Sequence, residues 1–217
     1  MESLLLQTPQ AEIDLTYLLN IFQQLKSPED KIDYLLSTGD LISVRRGLYV
    51  LSPLYGKTVS SKVLASMICW PSYVSLQSAL RYYRLIPEGV FNEVSVTLKR
   101  TKKFNTPFGI FEYHNSTVNE FLWGLRFAKI DEKRNVRMAS PIKALYDLLR
   151  FSLNSTRKMT FEDLFEYTEL LRLDVDEFKV TKTEYRELKS AYQANIRTFL
   201  IKWIETKNIE VSHARQY

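Results

Sequence analysis

A chain of 217 residues, 45% of them hydrophobic, with a formal net charge of +5, can form one large domain or a small domain joined to a larger one. Its single cysteine, Cys69, excludes an internal disulfide and fits a reducing compartment. No apolar run approaches the ~20 residues of a membrane span, and Leu4-Leu5-Leu6 lacks a basic segment before it, so neither membrane anchor nor signal peptide is expected and the expected location is cytoplasmic.

Charge is distributed unevenly. Lys and Arg number 4 against 7 Asp and Glu over residues 1–55, but 8 against 2 over residues 56–110. Residues 111–150 carry 7 against 5, and the remainder is balanced. The positive field is therefore expected in the middle of the chain, which suits a polyanion or an acidic partner.

Leu15, Leu18, Leu19, Phe22 and Leu25 recur at helical spacing behind Asp14, which predicts a capped helix over 14–25. Ser27-Pro28-Glu29-Asp30 opens a second helix, with Pro at its first position and Asp30 at the acidic place of a capping box. Ile32, Leu35 and Leu36 form its inner face, Lys31, Tyr34 and Thr38 its outer one, and Gly39 ends it. A strand over 41–44, a turn at Arg45-Arg46-Gly47 and a returning strand over 48–51 complete the size and order of a helix-turn-helix with a wing. Arg45 and Arg46 at the hairpin tip can reach phosphates or a minor groove. Against docking on DNA, the second helix carries Glu29, Asp30 and Asp33 against Lys31, and carboxylates repel phosphate.

Residues 52–60 read as a linker and 61–68 as a short helix. Ser75 is placed to cap a further helix with Leu76, Ala79, Leu80 and Tyr83 inside, stopping before Pro87. Val94, Val96 and Leu98 alternate as in a half-buried strand that runs into Lys99-Arg100-Thr101-Lys102-Lys103, followed by a turn over 104–109. Strands over 110–114 and 136–139, a helix from Ser140-Pro141 to about residue 151, and helices over 161–171 and 182–206 close the chain, the last with Leu188, Tyr192, Ile196, Leu200 and Trp203 on one stripe.

Lys99, Arg100, Lys102 and Lys103 are either a solvated charge run or a surface for DNA or a partner. Lys143 and Asp147, at i and i+4 on a helix, read most simply as a surface ion pair. Tyr73, Tyr82, Tyr83 and Phe104 beside basic residues read as core or rim aromatics rather than base-stacking platforms. Catalysis is not expected. Cys69 has no basic neighbour in sequence, His114 and His213 are the only histidines, and there is no phosphate loop and no spaced ligand set for a metal or other cofactor. Glu112 and Glu120 could join lysines in a nuclease site, but their spacing does not ask for one.

Four stretches in order, VRRGLY, PSYVSLQSALRYYRLIPE, VSVTLKRTKKFNTPFGIFEYH and MASPIKALYDLL, resemble the AbiEi antitoxin family of type IV toxin-antitoxin systems. The likeness runs from about Asp14 to Leu149. It implies a bacterial autorepressor whose winged helix binds double-stranded operator DNA, and a following α/β domain that neutralises a nucleotidyltransferase-like toxin. Two positions depart from the family pattern: Ile142 stands where Glu is frequent, and Arg84 where Gly is usual.

The expected architecture is α+β, with a winged helix-turn-helix domain over 1–55, an α/β domain over 56–151 and a helical extension over 152–217 packed on it. Lys31, Tyr34, Thr38, Arg45 and Arg46 are the expected DNA contacts, and Lys99, Arg100, Lys102 and Lys103 the expected DNA or toxin contacts. The alternatives are a protein-interaction module and a regulator without a toxin partner.

Overall fold

A computed structural model describes residues 2–87, 92–152 and 160–213. The chain is a mixed α+β protein. Its first part runs α1 (Glu2–Leu6), β1 (Glu12–Asp14), α2 (Leu15–Ile21), α3 (Pro28–Thr38), β2 (Leu41–Arg45) and β3 (Leu48–Leu51). The strands form an antiparallel sheet in the order β1-β3-β2, with a register shift between Ser43 and Arg45.

Local chemistry sets these boundaries. Asp14 caps α2 by accepting from the Tyr17 N–H at 2.8 Å, and α2 ends four residues earlier than its apolar spacing predicts. Pro28 begins α3 as expected, whereas the Ser27 side chain makes no capping bond. Gly39, at φ 78°, terminates α3 in a left-handed conformation that glycine adopts at least cost.

Leu5, Leu18, Phe22, Ile32, Leu35 and Leu51 belong to a small core confined to this part of the chain. Val44, Leu48 and Val50, on β2 and β3, instead join the main core of the molecule. The small sheet is thus sandwiched between its own helices and the rest of the protein. Glu12, 1% exposed, fixes the junction. Its carboxylate receives Arg134 Nη1 at 3.0 and 2.8 Å and the Ser60 N–H at 2.6 Å.

After one 3-10 turn at Pro53–Tyr55 come α4 (Ser61–Ile68), β4 (Ser72–Val74), α5 (Leu76–Tyr82), β5 (Asn92–Thr97), β6 (Lys102–Thr106) and β7 (Gly109–Asn115). Then follow α6 (Val118–Phe121), β8 (Leu125–Lys129), β9 (Asn135–Ala139) and α7 (Pro141–Ser152). The six strands make one mixed sheet, ordered β6-β7-β5-β4-β9-β8. Tyr113 of β7 donates to Ala65 O of α4 at 2.6 Å, while its neighbour His114 stacks on Phe151 of α7. Successive strand residues face opposite ways, so α4 and α7 cover opposite faces.

The chain closes with α8 (Phe161–Leu170), β10 (Val180–Thr181), α9 (Lys182–Lys189), α10 (Ala194–Thr206) and β11 (Val211–Ser212). The single helix expected over 182–206 is two, broken around Ser190–Gln193. There Tyr192 is 75% exposed instead of lying on the buried stripe with Leu188, Ile196, Leu200 and Trp203. Thr160 and Thr181 each form a reciprocal capping box at the start of α8 and α9. Leu200 and Trp203 of α10 join the main core, with Phe178 edge-on to Trp203 at 5.2 Å. The expected boundary after Phe151 adjoins residues 153–159, which lie outside the described residues.

Candidate nucleic-acid interface

The expected contact residues lie on two structures. Arg45 and Arg46 are exposed at the β2–β3 turn. Gly47, at φ 79°, closes that turn, and its carbonyl accepts from the Leu15 N–H at 3.0 Å, which ties the hairpin tip to the start of α2. On α3, Tyr34 is 57% exposed and lies under the Lys31 ammonium, 4.5 Å from the ring centroid. Thr38 is exposed, but its hydroxyl is already used: it bonds Asp40 Oδ2 at 2.6 Å and Leu35 O at 3.2 Å. Glu29, Asp30 and Asp33 are exposed on the same helix, so its surface is acidic around one Lys–Tyr pair.

The second set, expected at the end of a strand, extends over a turn and into the strand that follows. Lys102 and Lys103 belong to β6, an edge strand, while Lys99 and Arg100 occupy the turn leading into it, and all four are exposed. The turn expected over 104–109 shrinks to Pro107–Phe108, because Phe104 pairs with Phe111 and Thr106 with Gly109 across the β6–β7 ladder. Lys103 forms an ion pair with Glu112 at 2.8 Å. Lysines on an edge strand serve a second purpose, since charge there discourages pairing with another sheet.

Tyr113 of β7 is buried between the edge strand and α4. Burial raises the pKa of its hydroxyl, the Cys69 thiol adds to the rise, and the Arg45 charge opposes both. Lys102 is the direct cross-strand neighbour of Tyr113. Lys102 therefore lies on the α4 side of the sheet with Tyr113, and Lys103, opposite Glu112, on the other side. The hairpin packs on the main core through Val44, Leu48 and Val50.

One group of residues that sequence reasoning placed on the surface is fully buried. Lys143 and Asp147 are each 0% exposed, with Nζ and Oδ1 2.8 Å apart. Asp147 Oδ2 accepts from the Tyr73 hydroxyl at 2.9 Å and from Ser75 Oγ at 2.7 Å, which explains why Ser75 makes no capping bond to α5. Lys143 Nζ also donates to Glu120 O at 2.6 Å and lies 4.5 Å from the centroid of Trp123. The Glu120 carboxylate, 1% exposed, accepts from the Tyr146 hydroxyl at 2.8 Å. Burial pushes the Lys143 pKa down against the attraction of Asp147, and burial pushes those of Tyr73 and Tyr146 up.

Glu120 thus does meet a lysine, as a nuclease site would require, but through its backbone carbonyl and away from solvent. The arrangement holds α7 against β4 and α6. Gly124 belongs to it as well: at φ 64°, a Cβ there would stand 2.7 Å from Lys143 Cβ. Among the described residues no group of three His, Cys, Asp or Glu side chains could hold a metal ion. No described helix is long and apolar enough to cross a membrane.

No protein-family model matches the chain, and no curated protein matches it.

Proposed function

We propose that this protein is a cytoplasmic DNA-binding autorepressor of the AbiEi antitoxin type, reading operator DNA through a winged helix-turn-helix made of α2, α3, β2 and β3. What supports the reading is the exposure of Arg45 and Arg46 at the hairpin tip and of Lys99, Arg100, Lys102 and Lys103 at the edge of the sheet, with the hairpin packed on the main core through Val44, Leu48 and Val50. Exposed cations on two separate elements suit the phosphates of a duplex that runs past the hairpin tip. In this reading Arg45 and Arg46 reach the backbone or minor groove, and Tyr34 and Lys31 are the parts of α3 free to approach bases. Thr38 is demoted, because its hydroxyl already serves Asp40. Lys99, Arg100 and Lys102 add phosphate contacts or receive an acidic face of a nucleotidyltransferase-like toxin.

Gel-shift titration against the DNA upstream of the gene and against a scrambled duplex tests this reading. The reading requires tighter binding to the upstream DNA, weakened by Arg45→Ala/Arg46→Ala. Equal affinity for both duplexes would remove the operator from the account. Co-purification with a nucleotidyltransferase-like protein encoded alongside, lost in Lys99→Glu/Arg100→Glu, tests the antitoxin part.

A second reading rests on the exposed acids of α3. With Glu29, Asp30 and Asp33 outward, the helical module suits a basic protein partner, in which case DNA binding is weak and indifferent to sequence.

A further inference from the structure

Among the described residues the six-stranded sheet ends in two unpaired edges that are built differently. The β6 edge exposes Lys102, Lys103 and Asn105 and is guarded by charge. The β8 edge presents Phe127, 77% exposed, at the centre of Leu125-Arg126-Phe127-Ala128-Lys129. Two bonds fix the phase of β8 against β9: Ser140 N–H to Gly124 O and Ile130 N–H to Arg134 O, both 2.8 Å. In an antiparallel pair, bonded and non-bonded positions alternate, so Arg126 and Ala128 also turn their backbone groups toward β9. Leu125, Phe127 and Lys129 then turn theirs outward. The Tyr82 hydroxyl, which donates to Lys129 O at 2.8 Å, agrees with that direction. No strand among the described residues pairs with this edge. An open groove of about 610 Å³, lined in part by Tyr82, Phe127, Lys129 and Lys179, lies beside it.

We propose that β8 pairs antiparallel with β8 of a second copy of this chain, about a twofold axis at Phe127, so that two sheets become one. Few registers respect the backbone phase. Centred on Phe127, all three outward residues pair: Phe127 meets the partner's Phe127 and Leu125 meets the partner's Lys129. On the alternate positions Arg126 meets the partner's Ala128, so no like charges face each other. Centring one residue earlier sets Arg126 against the partner's Arg126. Centring one residue later draws the pairing into the turn beyond Lys129, where the chain leaves the strand. The two exposed Phe127 rings cover each other, and Lys129 O, with one lone pair on Tyr82, keeps another for the new ladder. This assembly is independent of DNA, although a twofold pair of hairpin modules is what a palindromic operator would match.

Sedimentation velocity of the full chain, from micromolar to submillimolar concentration, should show a monomer–dimer equilibrium. Phe127→Lys should shift it to monomer, because the new charges face each other at the axis, while far-ultraviolet circular dichroism and melting temperature stay unchanged. As a register test, Phe127→Cys should cross-link under mild oxidation, since Cα atoms of a bonded antiparallel pair lie about 5.5 Å apart, within disulfide range. Lys129→Cys, also at an exposed position but opposite Leu125, should not. The natural Cys69 is buried and does not compete. A wild-type chain that is monomeric at every concentration overturns the proposal. So does a dimer that Phe127→Lys leaves intact, or one that Lys129→Cys cross-links as readily as Phe127→Cys.

Discussion

Replacing Lys143 by Met keeps most of the length and bulk of the side chain and deletes only its ammonium. The structure says what is lost. Asp147 Oδ1 loses its cation at 2.8 Å, Glu120 O loses a donor at 2.6 Å, and the ring of Trp123 loses the charge beside it. Asp147 would keep only the hydroxyls of Tyr73 and Ser75, both on Oδ2, and remain a buried carboxylate without a counter-charge. Breaking a buried pair from one side costs about 3–5 kcal/mol. That is a large share of a typical total stability of about 5–15 kcal/mol. Adding Asp147→Asn to Lys143→Met removes the orphaned charge yet leaves an acceptor for both hydroxyls. The double variant should therefore recover roughly 1–3 kcal/mol relative to Lys143→Met alone. Equilibrium urea unfolding followed by tryptophan fluorescence reads both, with Trp123 inside the affected site. A loss below about 1 kcal/mol for Lys143→Met is what a solvated surface pair would give, and it would refute the burial argument.

Three other outcomes follow from the same interior and its borders. Gly124→Ala should destabilise by about 2 kcal/mol or more in the same assay, because the new Cβ meets Lys143 Cβ at 2.7 Å and the residue sits at φ 64°. Arg84, exposed and at φ 59° where the chain leaves α5, occupies a conformation that costs a non-glycine residue roughly 1 kcal/mol; Arg84→Gly should raise the melting temperature slightly. Stability should fall on the alkaline side. The folded-state pKa values of Tyr73, Tyr113 and Tyr146 are raised by burial, so above the unfolded value near 10 the unfolded chain releases protons that the folded one keeps. Lys143, lowered by burial, works in the opposite direction below that pH but is outnumbered. Melting temperatures that stay level from pH 9 to about 11 would contradict the burial of these hydroxyls.

Most helix starts were legible because they rest on short-range chemistry, as with Asp14 and Pro28. Glycine at the end of α3 and alternation in β5 and β7 were equally local. The missed strands β1 and β4 have three residues each, too few to show a period. β8 reads Leu-Arg-Phe-Ala-Lys, mixing apolar and charged residues on both faces as an edge strand tolerates, so it gave no alternation to detect. The break between α9 and α10 falls at Ser190-Ala191-Tyr192-Gln193, without Gly or Pro to mark it. The misplacement of Lys143 and Asp147 was avoidable in part. Ile142, Ala144, Leu145, Tyr146, Leu148 and Leu149 surround the whole helix, and a helix apolar on every side is buried along with any charges it carries. By contrast, the packing of Val44, Leu48 and Val50 against the main core rather than the small one is a tertiary fact with no local signature.

On the proposed function, the hairpin arginines and the cations at the β6 edge both contact one DNA duplex. The salt dependence of binding tests it most directly, measured by fluorescence anisotropy on the upstream duplex for the wild type, Arg45→Ala/Arg46→Ala and Lys99→Ala/Lys102→Ala. Each lost phosphate contact lowers the slope of log K against log salt by about 0.9, so each double variant should flatten it by up to about 1.8. A slope unchanged in both variants would contradict the account.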